Sequence, residues 1–261
     1  MPQRQLAVVT GASSGIGFEL AQLCARDGYD LVIAADEPDI EEVASQLKKH
    51  DVKVDWVECD LAREEGVEEL LDAIGRRHVD VLMANAGHGL GHAFLDQEFS
   101  DILHVIDTNI TGTVFLIHRV GQRMKQHGAG KILITGSIAG FIPGAYQAVY
   151  NASKAFLDSF AFALRAEVAE SGITVTCLMP GATETEFFER ADLTDTEIGQ
   201  AKKDDPADVA RQGYDAMRRG DGDVVTGWYN KLQTAIANVT PAGMLARQHA
   251  KQAAPGTGKQ S

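Results

Sequence analysis

Short runs of aliphatic and β-branched residues alternate along the chain with longer stretches in which apolar residues recur every three or four positions. The runs LAVVT (6–10), DLVIAA (30–35), VKVDWV (52–57), VDVLMA (79–84), KILIT (131–135), ITVTCL (173–178) and DVVT (223–226) read as strands. Helical periodicity covers 15–27, 40–49, 64–77, 99–127, 150–171 and 206–219. Strand and helix taking turns predicts an α/β fold, a single doubly wound parallel sheet of about seven strands with helices on both faces. The runs at 6–10, 80–84 and 131–135 are almost continuously apolar, as central strands covered on both sides must be. The polar stretch 182–205 breaks the alternation, and an insertion of that length in a compact domain reads as a lid or binding loop. With no internal repeat and no linker, residues 1–252 read as one domain, and AAPGTGKQS (253–261) has the composition of a disordered tail.

Charge and cysteine usage narrow the function classes. The 261 residues carry a formal charge of -13, which argues against a nucleic acid or an anionic membrane as partner, since both need a basic footprint. Cys24, Cys59 and Cys177 have no CxxC spacing and read as small buried hydrophobes in a reducing compartment. The chain enters a strand pattern by Leu6 without a basic-then-apolar leader, and no apolar run approaches the ~20 residues of a membrane span. A cytoplasmic protein without a membrane partner is expected.

Two local patterns carry candidate chemistry. TGASSGIG (10–17) follows the first strand and opens the first helix, and its glycines at 11, 15 and 17 let backbone approach a pyrophosphate held at the helix N-terminus. Nineteen positions after Gly17, at the end of the second strand, Asp36 stands where a ribose-binding carboxylate belongs, followed by Glu37. A carboxylate there accepts from both ribose hydroxyls and repels the 2′-phosphate of NADP, two like charges at ~5 Å costing about 3 kcal/mol at an effective dielectric near 20. No arginine or lysine lies in the glycine turn or at the strand end, so NAD is favoured, with NADP as the alternative. Asp60, in ECDLA after the third strand, is a candidate acceptor for the adenine amino group. The second pattern is YNASK. Tyr150 and Lys154 lie four apart on one helix face, where the ammonium favours the ionised phenol, and Ser137 in TGSIAG stands thirteen residues upstream of Tyr150. A free tyrosine titrates near pH ~10, so such a neighbour brings it toward the range in which acid/base catalysis works.

With TGASSGIG, NAG (85–87), Asn109, Ser137, YNASK and PGATET (180–185) in that order, the chain resembles the short-chain dehydrogenase/reductase (SDR) family from about Leu6 to Thr185. The resemblance implies a Rossmann-like domain and an NAD(P)-dependent enzyme interconverting a secondary alcohol and a ketone by hydride transfer. It implies that Tyr150 is the acid/base, that Lys154 lowers the tyrosine pKa and holds the nicotinamide ribose, and that Ser137 hydrogen-bonds the substrate oxygen. Asn109, in DTNITG, would hold a helix irregularity and a water linking Lys154 to solvent. Gly11, Ser13, Ser14, Gly15, Ile16 and Gly17 would cradle the dinucleotide, with Asp36, Asp60 and Leu61 at its adenosine end. Asn85, Ala86 and Gly87 would line the cleft, and Pro180, Gly181, Thr183 and Thr185 would approach the carboxamide. The chain diverges from about Glu186 onward, where such enzymes suit their substrates.

The residues after Gly87, the segment Ile138–Pro143, Tyr146, Gln147 and the loop after Thr185 are expected to line the substrate pocket. Leu90, Phe94, Phe141, Ile142, Phe187 and Phe188 make it mainly apolar and suited to a lipophilic alcohol or ketone. Arg190, Lys202 and Lys203 offer an alternative, an anionic substrate tail. His88 and His92 lie four apart in HGLGH, a glycine-rich segment with no Cys or acidic residue at ligand spacing, so no metal is expected. Phe156, Phe160 and Phe162 point to more than one side of their helix, and family resemblance implies a homodimer or homotetramer packed through 99–127 and 150–171. An NADPH-dependent carbonyl reductase is the nearest alternative function, and a non-catalytic dinucleotide-binding regulator the more distant one.

Overall fold

The structure, a computed structural model, describes residues 4–258. Seven parallel strands form one sheet: β1 (Leu6–Thr10), β2 (Asp30–Ala35), β3 (Val54–Glu58), β4 (Val81–Ala84), β5 (Gly130–Thr135), β6 (Ile173–Met179) and β7 (Asp223–Val225). Their order across the sheet is β3-β2-β1-β4-β5-β6-β7, so the winding reverses between β1 and β4 and opens a crevice at the strands' carboxyl ends. Eleven helices are described: α1 (Gly15–Arg26), α2 (Ile40–Leu47), α3 (Glu64–Ile74), α4 (Phe99–Ile106), α5 (Thr113–His127), α6 (Ala148–Glu167), α7 (Phe187–Arg190), α8 (Glu197–Gln200), α9 (Pro206–Arg219), α10 (Trp228–Val239) and α11 (Ala242–Ala253).

Alternation along the strands divides the core into two layers. Val8, Val32, Leu82, Ile132 and Val175 face α3, α5 and α6, meeting Leu70, Leu116 and Leu157. Val9, Ile33, Met83, Leu133 and Leu178 face the other side, where α1, α2 and α9 supply Leu20, Leu47 and Met217. Each large aliphatic side chain buried in this way contributes roughly 1.5–3 kcal/mol. The rigid double layer fixes where the strand ends, and the loops that leave them, can stand.

The differences from the predicted elements are informative. The helix expected over 99–127 is interrupted by a π-helical stretch at Asp107–Gly112, around Asn109. Strands β3 and β4 each begin two residues later than the apolar runs that announce them. Helices α10 and α11 were not expected at all. Their apolar pattern is inverted: α10 buries Asn230, Thr234 and Ala237 and leaves Trp228, Leu232 and Ile236 largely exposed, so no core-facing stripe marks it. The tail expected from 253 onward is ordered as far as Gly258, with Ala253 fully buried and the Gly256 N–H donating to the Asp195 carboxylate at 2.7 Å. Its last three residues lie outside the described range.

Candidate active site

At the carboxyl edge of the sheet lies a cavity of about 920 Å³. Every residue named above for the cofactor lines it, as do Ser137, Tyr150 and Lys154; Asn109 stands just behind its wall. The glycine turn forms one end. Gly15 adopts a φ of +55°, which a side chain disfavours, and a Cβ on Gly17 would stand 1.9 Å from the Gly11 carbonyl oxygen. Ser14 precedes α1 without a side-chain cap hydrogen bond, so the first N–H groups of that helix have no capping side chain and are suited to an anion. Asn85 secures the turn from below: its Nδ2 donates to the carbonyls of Thr10 at 3.1 Å and Gly11 at 3.3 Å, and its Oδ1 accepts from the Thr135 hydroxyl at 3.0 Å. A pyrophosphate-bearing dinucleotide fits this cradle.

Side chains at the adenosine end are more entangled than the sequence suggests. Asp36 accepts from or shares a proton with His88 Nε2 at 3.0 Å, and this contact holds its carboxyl below the usual range against the opposing effect of burial. Glu37 accepts from the Ser13 hydroxyl at 2.9 Å and pairs with Arg190 at 2.6 Å. The absence of a cation near this strand end, inferred from the glycine turn and β2 alone, is therefore corrected: α7 carries one in from the far side of the cleft. Asp60 accepts the Ala62 N–H at 2.9 Å, shaping the turn that brings Leu61 to the wall.

Tyr150 and Lys154 enter from α6, which begins beneath the β5 loop. Lys154 is buried, donates from Nζ to the Thr135 carbonyl at 2.9 Å, and stands 5.9 Å from the Tyr150 ring centre. Ser137 accepts the Ala139 N–H at 3.1 Å and donates to the Pro180 carbonyl at 3.4 Å, which fixes its hydroxyl between β5 and β6. Asn109 accepts the His88 N–H at 2.7 Å and donates to the His88 carbonyl and the Ser153 hydroxyl, both at 2.9 Å. Its amide thus locks the segment after β4 to α6. Gly87 packs closely between Asn109 and Lys154: a Cβ there would lie 3.2 Å from Asn109 Oδ1 and 3.4 Å from Lys154 Nζ, so a side chain would press on the Asn109 amide.

The net shift of Tyr150 is upward, with burial as its largest cause. Burial pushes Tyr150 up to about 12, Asp158 adds to the rise, and hydrogen bonding by Ser137 opposes it. Lys154 is itself pushed down to about 8 by burial, against the attraction of Asp158. For both groups desolvation is the largest cause of the shift, and it outweighs the helix-face pairing.

Asp158, one turn beyond Lys154, is a residue the motif reading missed. Its Oδ1 accepts the Ser137 N–H at 3.3 Å and the Cys177 thiol at 3.5 Å, its Oδ2 is buried without a partner, and burial raises its pKa to about 6. A carboxylate at the next helical step on the same face as Tyr150 and Lys154 was legible as spacing, but not as burial. With Tyr150 read as the base of an alcohol oxidation, the rate is expected to climb with pH as the phenol ionises. Because the charge on Asp158 holds that ionisation up, Asp158→Asn is expected to move the rising limb of kcat/KM toward lower pH. An unmoved limb would mean that Asp158 does not act on the phenol.

The loop 182–205 closes over this wall. Its two ends pair through Asp204 N–H to the Ala182 carbonyl (2.8 Å) and Glu184 N–H to the Asp204 carbonyl (2.9 Å). Phe187 then stands 4.9 Å, ring to ring, from Tyr150. Arg190 bridges to Glu37 and also bonds Glu186, and Lys203 lies over the Phe188 ring at 4.9 Å, so neither is a free cation for a substrate tail; Lys202 lines the cavity. Several expected lining residues lie elsewhere. Phe94 is half exposed, Phe141 packs on the core, and Leu90, Pro143 and Tyr146 are not in the cavity wall. Trp228, Leu232, Ile236 and Leu245 from α10 and α11 take their place.

A dinucleotide cradle at the switch point of a doubly wound sheet, beside a buried serine and lysine and a half-buried tyrosine, defines a nicotinamide-dependent oxidoreductase. The chain belongs to the short chain dehydrogenase family, whose family model matches residues 5–196. It is 33% identical over 221 residues to an uncharacterized oxidoreductase of Staphylococcus saprophyticus, spanning 83% of this chain and 92% of that one. Among solved structures it is similar to a short-chain dehydrogenase from Sphingobium yanoikuyae in complex with NADPH (TM-score 0.80, 28% identity, 90% of this chain and 94% of that one). It is likewise similar to the bulky-bulky ketone specific alcohol dehydrogenase of Comamonas testosteroni (TM-score 0.77, 28% identity, 90% and 93%). The protein is an NAD(P)-dependent oxidoreductase of this family.

Proposed function

We propose that the protein interconverts a lipophilic secondary alcohol and its ketone, with Tyr150 as the acid/base and NAD as the preferred cofactor. The observation that carries this reading is the apolar lining of the cavity that Tyr150 enters: Phe187, 4.9 Å from the Tyr150 ring, and elsewhere on the wall Phe188, Ile142, and Leu232 and Ile236 of α10. The nicotinamide supplies or accepts the hydride. Tyr150 gives a proton to the carbonyl oxygen in reduction and takes one from the alcohol in oxidation. Ser137 turns its one hydroxyl proton from the Pro180 carbonyl to the same oxygen as charge builds on it, while the Ala139 N–H still holds the hydroxyl oxygen in place. Lys154 would hold the nicotinamide ribose hydroxyls, and Asn109, in the π-helical turn, would hold a water linking Lys154 to solvent. The bulky ketones for which the C. testosteroni enzyme is specific support a large substrate. A panel of steroid, aliphatic and acyl-carrier ketones is the test; turnover confined to small charged sugars would refute the lipophilic pocket.

NAD is favoured because Asp36, Glu37 and Glu186 together outweigh the single guanidinium of Arg190. A specific observation keeps an NADPH-dependent carbonyl reductase as the second reading: Arg190 and His88 both bring donors to the strand end. Titrating NADH and NADPH separately is expected to give tighter binding of NADH, and stronger binding of NADPH would select the second reading. Phe99 and Leu103 on α4 and Phe156 and Phe162 on α6 are exposed, which supports a homodimer or homotetramer through these helices. No helix among the described residues is long and apolar enough to cross a membrane.

A further inference from the structure

In sequence His88 stands four residues from His92, with no acidic residue at ligand spacing in that segment. The fold pairs these histidines differently. His92 bonds Asp192 at 2.7 Å, whereas His88 turns to Asp36 at the end of β2 and to His104 on α4. The His88 and His104 rings lie 4.7 Å apart, centre to centre, and one ligand atom from each of Asp36, His88 and His104 falls within 4.8 Å of the other two.

We propose that Asp36, His88 and His104 form a site for a divalent transition metal, Zn(II) above all, at the adenosine end of the cleft. Two imidazoles and a carboxylate are a donor set that zinc accepts, with a fourth position left for water. Ligands at ~2.0–2.1 Å in a tetrahedron stand roughly 3.3 Å from one another. The Asp36 to His88 separation of 3.0 Å is already close to that, so only His104 has an appreciable distance to close. The surrounding charge favours a cation. Arg190, the guanidinium nearest this carboxylate, is already shared between Glu37 and Glu186, which leaves the group of carboxylates negative. Each ligand comes from a different element, β2's end, the segment after β4, and α4, so the site is set by the tertiary fold. The backbone of His88 is held on both sides by Asn109, which limits the entropy lost on ligation.

Asp36 is also the residue read as the ribose acceptor. Resting on that reading, a metal bound here withdraws the carboxylate from the dinucleotide, and zinc would inhibit competitively with cofactor. His104 is not part of the cavity wall, so its removal separates the two roles.

The test is calorimetric titration of the untagged, cofactor-free protein with zinc chloride, alongside His104→Ala and His88→Ala. One saturable site per chain is expected, weakened about tenfold or more in each variant. His104→Ala should keep the parent's melting temperature without metal and its uninhibited activity, yet lose zinc inhibition. Absence of a saturable site, or unchanged zinc affinity in His104→Ala, would overturn the proposal. Zinc binding that depends on His104 but is unaffected by saturating dinucleotide would uphold the metal site and refute the ribose role of Asp36.

Discussion

Tyr150→Phe is expected to lower kcat by about 10²- to 10⁴-fold, the usual contribution of a positioned general acid or base. Dinucleotide affinity should stay within about twofold of the parent, because a phenylalanine keeps the ring that packs 4.9 Å from Phe187 and removes only the proton carrier. Steady-state kinetics and fluorescence titration of the reduced cofactor measure the two quantities separately. Turnover within an order of magnitude of the parent would refute the assignment. The high pKa of the phenol makes this loss direction-dependent: a group pushed up to about 12 is protonated and ready to donate in reduction, and is a base only at a cost in oxidation. Reduction at neutral pH is therefore the direction in which the substitution is read most cleanly.

Lys154→Ala should damage binding and chemistry together. The ammonium is buried, and its donation to the Thr135 carbonyl fixes it beneath the Tyr150 ring, on the wall where the ribose reading puts cofactor hydroxyls. A hydrogen bond from a charged group contributes about 1.5–3 kcal/mol, which corresponds to roughly 10- to 100-fold in dinucleotide affinity. Loss of kcat should accompany it. The same substitution leaves the Asp158 carboxyl without the buried cation that holds its pKa down, so thermal melting must be followed in parallel, and a fall in stability is expected near neutral pH, where that carboxyl is mostly ionised. Equal dinucleotide affinity in the Ala and parent proteins would mean that Lys154 acts on the phenol alone.

Much of this fold was legible because buried parallel strands leave nearly continuous apolar runs. Leu6–Thr10 and Val81–Ala84 are fully buried and were visible as such runs. The site was legible where chemistry is local in sequence: the glycine turn, the tyrosine and lysine on one helix face, and the serine at the end of β5. What escaped is what the fold assembles from afar. Arg190 reaches Glu37 across the cleft, and Asp36 finds His88 and His104 on other elements. No spacing rule encodes those meetings. The substrate wall was partly missed for a different reason: Trp228, Leu232 and Ile236 face a cavity and solvent, so they break the rule that apolar stripes mark the core. Burial also sets the direction of the net shift at Tyr150. Helix spacing alone makes Lys154 a suppressor of the tyrosine pKa, but desolvation of both groups wins in this wall.

The central claim is that hydride passes between the nicotinamide and the carbonyl carbon held beside Tyr150 and Ser137. Reduction of a bulky ketone with NADH carrying deuterium at both positions of the nicotinamide C4, followed by NMR of the product, tests it most directly. The account predicts an alcohol with deuterium on the carbinol carbon. Deuterium on any other carbon, or an alcohol without it, would contradict the account.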